Sequence, residues 1–205
     1  KNKEIIDHSI EKSLNSKLFK KIVVVTNNLN HFKNKKYLKS INIIKGGKER
    51  SDSSLKALKY LKKFKPKNIL IHDAARPDFS IKLLKKLIAL LKSNKAVVPF
   101  INSRDTIKYK TNNEIFNLNR EKAYLTQTPQ AFRYKELYQL SISQKNKITD
   151  EATLFVNNNK EVKFIKGNND NIKITYKTDI KLNKTYFGIG FDIHKLIKNK
   201  KLYLG

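Results

Sequence analysis

Charged and hydroxyl-bearing residues at the ends of apolar runs are the part of this chain able to do chemistry. The run Asn68 to His72 leads straight into Asp73-Ala74-Ala75-Arg76-Pro77. A carboxylate and a guanidinium are thereby set at a strand's carboxyl end, where open α/β sheets gather their ligands. Ala74 and Ala75 are small enough to let a ligand approach the backbone, and Pro77 stiffens the turn; the plainer alternative is a loop whose two charges answer only each other. A second segment, Gly46-Gly47-Lys48-Glu49-Arg50-Ser51-Asp52-Ser53-Ser54, also follows a strand and opens a helix. Its free backbone N–H groups and hydroxyls could hold a polar ligand, or it could be a glycine turn with serine caps. Asn119-Arg120 and Thr126-Gln127-Thr128-Pro129-Gln130 add further polar groups, and Lys173 sits inside Asn171-Ile172-Lys173-Ile174-Thr175. A lysine between two isoleucines needs a strand face open to solvent or to an anion. Asp192 and His194, two apart in a strand pattern, point to the same face, as two ligands of one metal must, although that spacing by itself is common.

The elements that must position these residues follow from periodicity. Ile5, Ile6, Ile10, Leu14 and Leu18 recur at helical spacing and lead into the β-branched run Ile22 to Thr26. The pattern then repeats with a strand at Ile41 to Ile44, a helix through Leu55, Leu58 and Leu61, and a strand at Asn68 to His72. A helix at Ile81 to Leu91 and a strand at Ala96 to Phe100 come next. Such alternation predicts an α/β fold with a mainly parallel sheet covered by helices on both faces. Between Asp105 and Tyr124 the rhythm changes. Thr106 to Lys110 and Glu114 to Leu118 alternate like two strands about a Thr111-Asn112-Asn113 turn, which predicts a projecting hairpin arm. A helix at Tyr134 to Ser143 follows, then one opened by Thr149-Asp150-Glu151 with a natural cap at Thr149 or Asp150. Strands at Val162 to Ile165 and Asn171 to Thr175, and a polar helix near Asp179 to Leu182, complete the pattern. Phe187 to His194 reads as the first strand of a new unit, with the boundary near Lys184: residues 1–183 form the main domain and 184–205 the start of a second.

Composition narrows the classes. A chain of 205 residues with 39% hydrophobic content can bury a core. It has no cysteine, so neither a disulfide framework nor a thiolate metal site is available. No apolar run is long enough to span a bilayer and no secretory signal pattern opens the chain; the sequence reads as that of a soluble, cytoplasmic protein. The formal net charge of +28 would suit a polyanion, but the lysines are spread along every segment among abundant Asn and Ile. That mixture is the mark of A/T-rich coding and not of a nucleic-acid footprint. Arginine, by contrast, occurs only at Arg50, Arg76, Arg104, Arg120 and Arg133, and its planar fork offers phosphates and carboxylates a bidentate contact that lysine cannot. Methionine is absent, position 1 included, so the chain is expected to be an internal piece of a longer one.

Taken in order, the motifs HDAARP, NR, TPQ, TDEA and DNIKIT resemble those of the 2-C-methyl-D-erythritol 4-phosphate cytidylyltransferase family over residues 1–183, and FGIGFDIH resembles the opening strand of a 2,4-cyclodiphosphate synthase domain. The resemblance implies a Rossmann-like nucleotidyltransferase fold followed by the first strand of an α+β cyclase domain. It implies transfer of CMP from CTP to methylerythritol phosphate with release of pyrophosphate, assisted by Mg²⁺. On the same motif matches, Lys173 would contact the transferring phosphate, and Asp73 and Arg76 would hold the sugar phosphate. Thr149 would add a hydroxyl. Arg120 and Thr128 would reach the substrate phosphate of a partner across a homodimer made by the arm. Gly47, Ser53 and Ala74 would surround the cytidine, and Asp192 and His194 would be two of three ligands of a cyclase metal, usually Zn²⁺. The family's opening Gly-rich triphosphate loop and the third metal ligand have no counterpart between Lys1 and Gly205, so the piece by itself is expected to be inactive. A cytidylyltransferase for another polyol phosphate, such as ribitol 5-phosphate, and a basic nucleic-acid-binding module are the competing readings; neither a nucleic acid nor a membrane is expected as a partner.

Overall fold

In the computed structural model, residues 3–144 and 148–180 are described. Helix α1 (Ile5–Asn15) leads into β1 (Val23–Thr26) and β2 (Asn42–Lys45), then α2 (Arg50–Leu61), β3 (Asn68–Ile71), α3 (Ile81–Leu90) and β4 (Ala96–Asn102). The arm strands β5 (Ile107–Lys110) and β6 (Ile115–Leu118) follow, then β7 (Tyr124–Thr126), β8 (Gln130–Arg133), α4 (Tyr134–Ser143), α5 (Ala152–Asn157) and β9 (Lys163–Lys166).

The core is organised by the alternation of side chains along β4 and β8. Ala96 and Phe132 face one side with Leu58, Leu61, Leu137, Leu154 and Phe155 of α2, α4 and α5. Their neighbours Val97 and Ala131 face the other, against Leu83 and Leu87 of α3 and Leu91 just beyond it. Consecutive residues of a strand point to opposite faces, so two strands suffice to carry helices on both faces, as the periodicity predicts. Local signals fix the helix starts: Ser80 accepts the Leu83 N–H at 3.1 Å ahead of α3, and Asp150 accepts the Thr153 N–H at 3.0 Å ahead of α5, each satisfying a donor with no partner inside its helix.

The sheet is mixed where alternation suggested mainly parallel pairing. β1 and β2 pair in parallel as a two-stranded sheet of their own; in the five-stranded sheet β4 and β9 are parallel, but β8 runs antiparallel to β3 and to β4, and β7 antiparallel to β4. Because β9 lies along Val97–Phe100, the opposite edge of β4 is shared by β8 at Ala96–Val97 and by β7 at Phe100–Asn102. The chain returning from the arm supplies both, and it lies antiparallel because it comes back along the strand that launched it. Between β7 and β8 the ladder is interrupted at Gln127-Thr128-Pro129, bridged by the Gln127 N–H on the Pro99 carbonyl at 2.8 Å. The arm forms as the alternation predicts, with β5 antiparallel to β6 and the turn closed by the Thr111 N–H on the Glu114 carbonyl at 2.9 Å.

Two other expectations change. Residues 171–175 form no strand: the Ile174 N–H reaches the Ala75 carbonyl at 2.9 Å, while the Asn171 carbonyl takes the Arg76 guanidinium at 2.8 Å. A side chain thus fills the place a neighbouring strand would need. The polar helix foreseen near Asp179 is, within the described residues, a single 3₁₀ turn, Lys177–Asp179. Phe187 to His194, with the expected second unit, lies outside the described residues.

The N-terminal layer is held by a buried charge. Asp7, only 2% exposed, accepts from Lys35 Nζ at 2.6 Å, from the Tyr37 hydroxyl and from the Glu4 N–H at 3.0 Å, with His31 Nε2 at 3.2 Å. Burial alone would push its carboxyl up, but the hydrogen bonds from Lys35, Tyr37, Glu4 and His31 outweigh that and hold it well below the ordinary range. Asp7→Ala removes the one group that answers these donors and is expected to cost about 3–5 kcal/mol, read from urea unfolding at pH 7. A carboxyl depressed on folding stabilises above its unfolded value of about 3.9 and ceases to as pH falls through the folded value. The gap between parent and variant should therefore narrow only on acidification below about pH 4.

Candidate active site

At the carboxyl end of β3 the chain opens a cleft of about 170 Å³ lined by Arg50, Asp73, Arg76, Thr126, Thr128, Gln130, Thr149, Asp150 and Lys173. These residues come from five separate stretches: the start of α2, the turn after β3, the interruption between β7 and β8, the approach to α5, and the segment after β9.

A chain of alternating charges forms its floor. Glu151, 1% exposed, receives both terminal nitrogens of Arg50 at 2.9 Å each. Arg50 Nε then donates to Asp73 Oδ1 at 3.2 Å, and Lys173 Nζ stands 3.4 Å from Asp73 Oδ2. Burial would push the Asp73 carboxyl up, but the Arg50 guanidinium and the Lys173 ammonium hold it below the usual carboxylate range. Burial likewise disfavours charge on Arg50, and Glu151 and Asp73 more than restore it. The two ends differ in kind. Arg50 spends its fork on an enclosed carboxylate and is fixed; Lys173, with its side chain half exposed, has a single longer contact and is free to turn toward an incoming anion.

The remaining walls are fastened through the backbone. Arg76 Nη1 donates to the Asn171 carbonyl at 2.8 Å, and Nη2 lies 3.5 Å from the Thr126 carbonyl. Burial, partly offset by Asp73, lowers the pKa of this guanidinium. Asn171, fully buried, donates to the Thr128 carbonyl at 2.9 Å. Gln127 donates to the Asn168 and Asn171 carbonyls at 2.8 and 3.2 Å and accepts the Asn168 N–H at 3.1 Å. This clasp requires Gly167, where a Cβ would sit 2.2 Å from Gln127 Oε1. Asp150 accepts the Thr126 hydroxyl at 3.1 Å, the Gln130 amide at 3.0 Å, the Thr153 hydroxyl at 2.7 Å and the Thr153 N–H at 3.0 Å. Burial raises its pKa, but those donors lower it further.

Of the residues the sequence singled out, Asp73, Arg76, Thr128, Thr149 and Lys173 are brought together here; Thr128, expected to reach a partner's substrate phosphate, instead lines the cleft of its own chain, its hydroxyl taking the Asp73 N–H. Gly47 and Ser53 do not line the cleft. The Gly47 N–H donates to Ser53 Oγ at 3.0 Å, and a Cβ on Gly47 would meet Asp52 Cβ at 2.2 Å, so the pair closes the loop that presents Arg50. Ala74 is exposed, its carbonyl held by the Ser9 hydroxyl at 3.2 Å. Arg120 is exposed near the arm, donating to the Arg104 carbonyl at 2.9 Å. Asp192 and His194 lie outside the described residues. Glu151, Gln130 and Asn171 carry roles that no local pattern announced, and Asp150, expected only as a helix cap, also takes Thr126 and Gln130, whereas the rarity of arginine had already marked Arg50.

The profile of the 2-C-methyl-D-erythritol 4-phosphate cytidylyltransferase family matches residues 1–188. The chain belongs to that family. Among curated relatives it is 50% identical over 207 residues to the bifunctional enzyme IspD/IspF of Pelagibacter ubique (strain HTCC1062), covering 100% of this chain and 56% of that protein. It is 35% identical to the 2-C-methyl-D-erythritol 4-phosphate cytidylyltransferase of Thermosipho africanus (strain TCF52B), over 88% of this chain and 84% of that protein. The chain spans about half the length of the bifunctional relatives it matches. Among solved structures, the 4-diphosphocytidyl-2C-methyl-D-erythritol synthase of Anaerococcus prevotii DSM 20548 superimposes with a TM-score of 0.78 at 30% identity, over 86% of this chain and 82% of that one. The bifunctional IspDF of Campylobacter jejuni does so with a TM-score of 0.76 at 30% identity, over 88% of this chain and 46% of that one. The family's nucleotidyltransferase fold therefore frames the cleft.

The division between fixed and mobile charge has a measurable consequence. Glu151→Ala frees both terminal nitrogens of a guanidinium that is 32% exposed and keeps Asp73, and is expected to cost about 1.5–3 kcal/mol in urea unfolding. Lys173→Ala, at a half-exposed pair, should change stability by less than about 1 kcal/mol.

Proposed function

We propose that this chain transfers CMP from CTP to 2-C-methyl-D-erythritol 4-phosphate and releases pyrophosphate, in the non-mevalonate route to isoprenoid precursors. Family membership supports the reading, and the observation that carries it is a half-exposed Lys173 poised over Asp73 at the carboxyl end of β3. In this reaction a phosphate oxygen of the acceptor forms a bond to the α-phosphorus of CTP as the bond to the β-phosphate oxygen breaks. The attacking oxygen is already ionised, so no base is needed. The physical problem is to hold two polyanions together while negative charge builds on the transferring group, and positioning with fixed cations is the solution available to a protein.

Lys173 is assigned to the transferring phosphate. As it turns to meet that phosphate, Asp73 stays fixed by Arg50 and offers its freed oxygen to the substrates. Arg76, whose Nε is buried without a partner, is assigned with Thr149 and Thr128 to the sugar phosphate side, and Gly47, Ser53 and Ala74 to the cytidine side.

Mg²⁺ fits the donor set. Asp73 and Asp150 are the carboxylates lining the cleft, and Asp150 is saturated by its four donors, which leaves Asp73. One carboxylate is enough for an ion that keeps its waters and takes phosphate oxygens. When bound, Mg²⁺ would neutralise charge on the triphosphate. The divalent metal, usually Zn²⁺, that the resemblance implies for Asp192 and His194 would serve a cyclase activity.

A homodimer through the arm is supported by its surface. An isolated two-stranded hairpin is marginal in water, yet this one exposes Tyr109, Ile115, Phe116 and Leu118, with Ile115 67% exposed. A second copy covering these side chains would bring the neighbouring Arg120 toward the partner's cleft. No described helix is long and apolar enough to cross a membrane; a cytoplasmic location is part of the same proposal.

The test uses the protein as expressed from its gene, with pyrophosphate release from CTP as the readout. Methylerythritol phosphate should be turned over far faster than ribitol 5-phosphate, and Lys173→Ala should lower kcat about 100-fold or more while the urea midpoint stays put. Equal use of both acceptors, or full activity without Lys173, would sink the assignment.

A further inference from the structure

His72 is a titratable side chain next to the cleft that the proposed reaction leaves unused. It follows β3 and directly precedes Asp73, and its ring packs edge-on against the buried Phe79 with centroids 4.5 Å apart. Its Nε2 lies 3.0 Å from the Arg76 carbonyl and its Nδ1 3.1 Å from Thr128 Oγ1. Thr128 Oγ1 in turn accepts the Asp73 N–H at 3.0 Å.

These contacts favour one arrangement of protons. A carbonyl oxygen can only accept, so Nε2 carries the hydrogen. The Thr128 hydroxyl already accepts the Asp73 N–H and has one hydrogen to give, and His72 Nδ1 at 3.1 Å is the acceptor set beside it. Thr128 is only 4% exposed, so leaving that hydrogen without an acceptor would be costly, and the arrangement that satisfies it leaves Nδ1 without a hydrogen of its own.

We infer that His72 is a positioning residue, closing a one-way hydrogen-bond relay from the Asp73 N–H through the Thr128 hydroxyl and the His72 ring to the Arg76 carbonyl. The relay ties both ends of the turn that carries Asp73 and Arg76 to the break between β7 and β8. The same turn is held from within by the Arg76 N–H on the Asp73 carbonyl at 3.0 Å. It also commits the Thr128 proton: for Thr128 to donate to a phosphate, its hydroxyl would have to leave His72. The consequence for substrate handling rests on the cytidylyltransferase reading, because it supposes that Asp73 and Arg76 hold the sugar phosphate.

The first measurement is independent of activity. In the parent protein labelled with ¹⁵N-histidine, two-bond ¹H–¹⁵N spectra at neutral pH are expected to show His72 as the Nε2-protonated tautomer. A ring protonated at Nδ1 overturns the relay.

The second measurement separates positioning from folding. His72→Asn retains an acceptor for Thr128 and His72→Gln a donor for the Arg76 carbonyl. Each is expected to raise KM for methylerythritol phosphate by about tenfold with a smaller change for CTP. Combining His72→Asn with Thr128→Val should add little to the larger single effect; full additivity counts against the relay. If the parent protein does not turn over methylerythritol phosphate, the functional reading falls while the spectra still decide the relay.

Discussion

A carboxylate as enclosed as Glu151 must be answered by a cation within hydrogen-bonding reach, because an unpaired buried charge costs several kcal/mol. That requirement orders the cleft. Glu151 takes the whole fork of Arg50, which fixes the guanidinium so that only Nε remains for Asp73. Asp73 is then held from one side by a rigid cation and from the other by Lys173, a loosely held one. The start of α2, the approach to α5, the turn after β3 and the segment after β9 are joined by these contacts, although they are far apart in the chain. A single neutral replacement for Glu151 would release the anchor on which the others are aligned.

The second constraint is the interruption of the sheet between β7 and β8. A continuous strand there would have buried Gln127 and Thr128 in ladder pairing. Broken at this point, the chain directs Gln127 into the loop at Gly167 and Asn168 and Thr128 onto the Asp73 backbone. The clasp holds the segment carrying Lys173 beside the turn carrying Asp73 and Arg76. The irregular stretch after β9 is therefore well fastened without being a strand. In place of a regular ladder, its carbonyls at Asn168 and Asn171 take side chains and its Ile174 N–H takes the single backbone carbonyl of Ala75.

Both constraints suit the proposed transfer, whose difficulty is electrostatic. Bringing a phosphate to a triphosphate requires cations that already occupy their places, since reorganising a charged site during the reaction would forfeit the benefit. Arg50 is pre-set by Glu151, while Lys173 can move from one anion to another without leaving the cleft.

Much of the architecture was legible in the sequence because its causes are local. Helical spacing at Leu55, Leu58 and Leu61 and strand patterning at Ala96 to Phe100 follow from which faces must be dry. The turn motif after Asn68 to His72 put Asp73 and Arg76 at a strand's carboxyl end, and the rarity of arginine drew attention to Arg50. Direction of pairing was not legible: β8 is antiparallel because the chain returns from the arm beside β4, and returning chains are placed by tertiary packing. Nor could periodicity separate an extended segment from a strand at Asn171 to Thr175, where the alternation is real but Arg76 takes the carbonyl. The partners of Glu151 and His72, and those of Asp150 beyond its helix cap, were equally out of reach. Residue types and order are properties of the chain and determine what chemistry is available. Which charge meets which, and which hydroxyl is already committed, depends on distances of about 3 Å between segments up to 101 positions apart, and only the folded structure sets those.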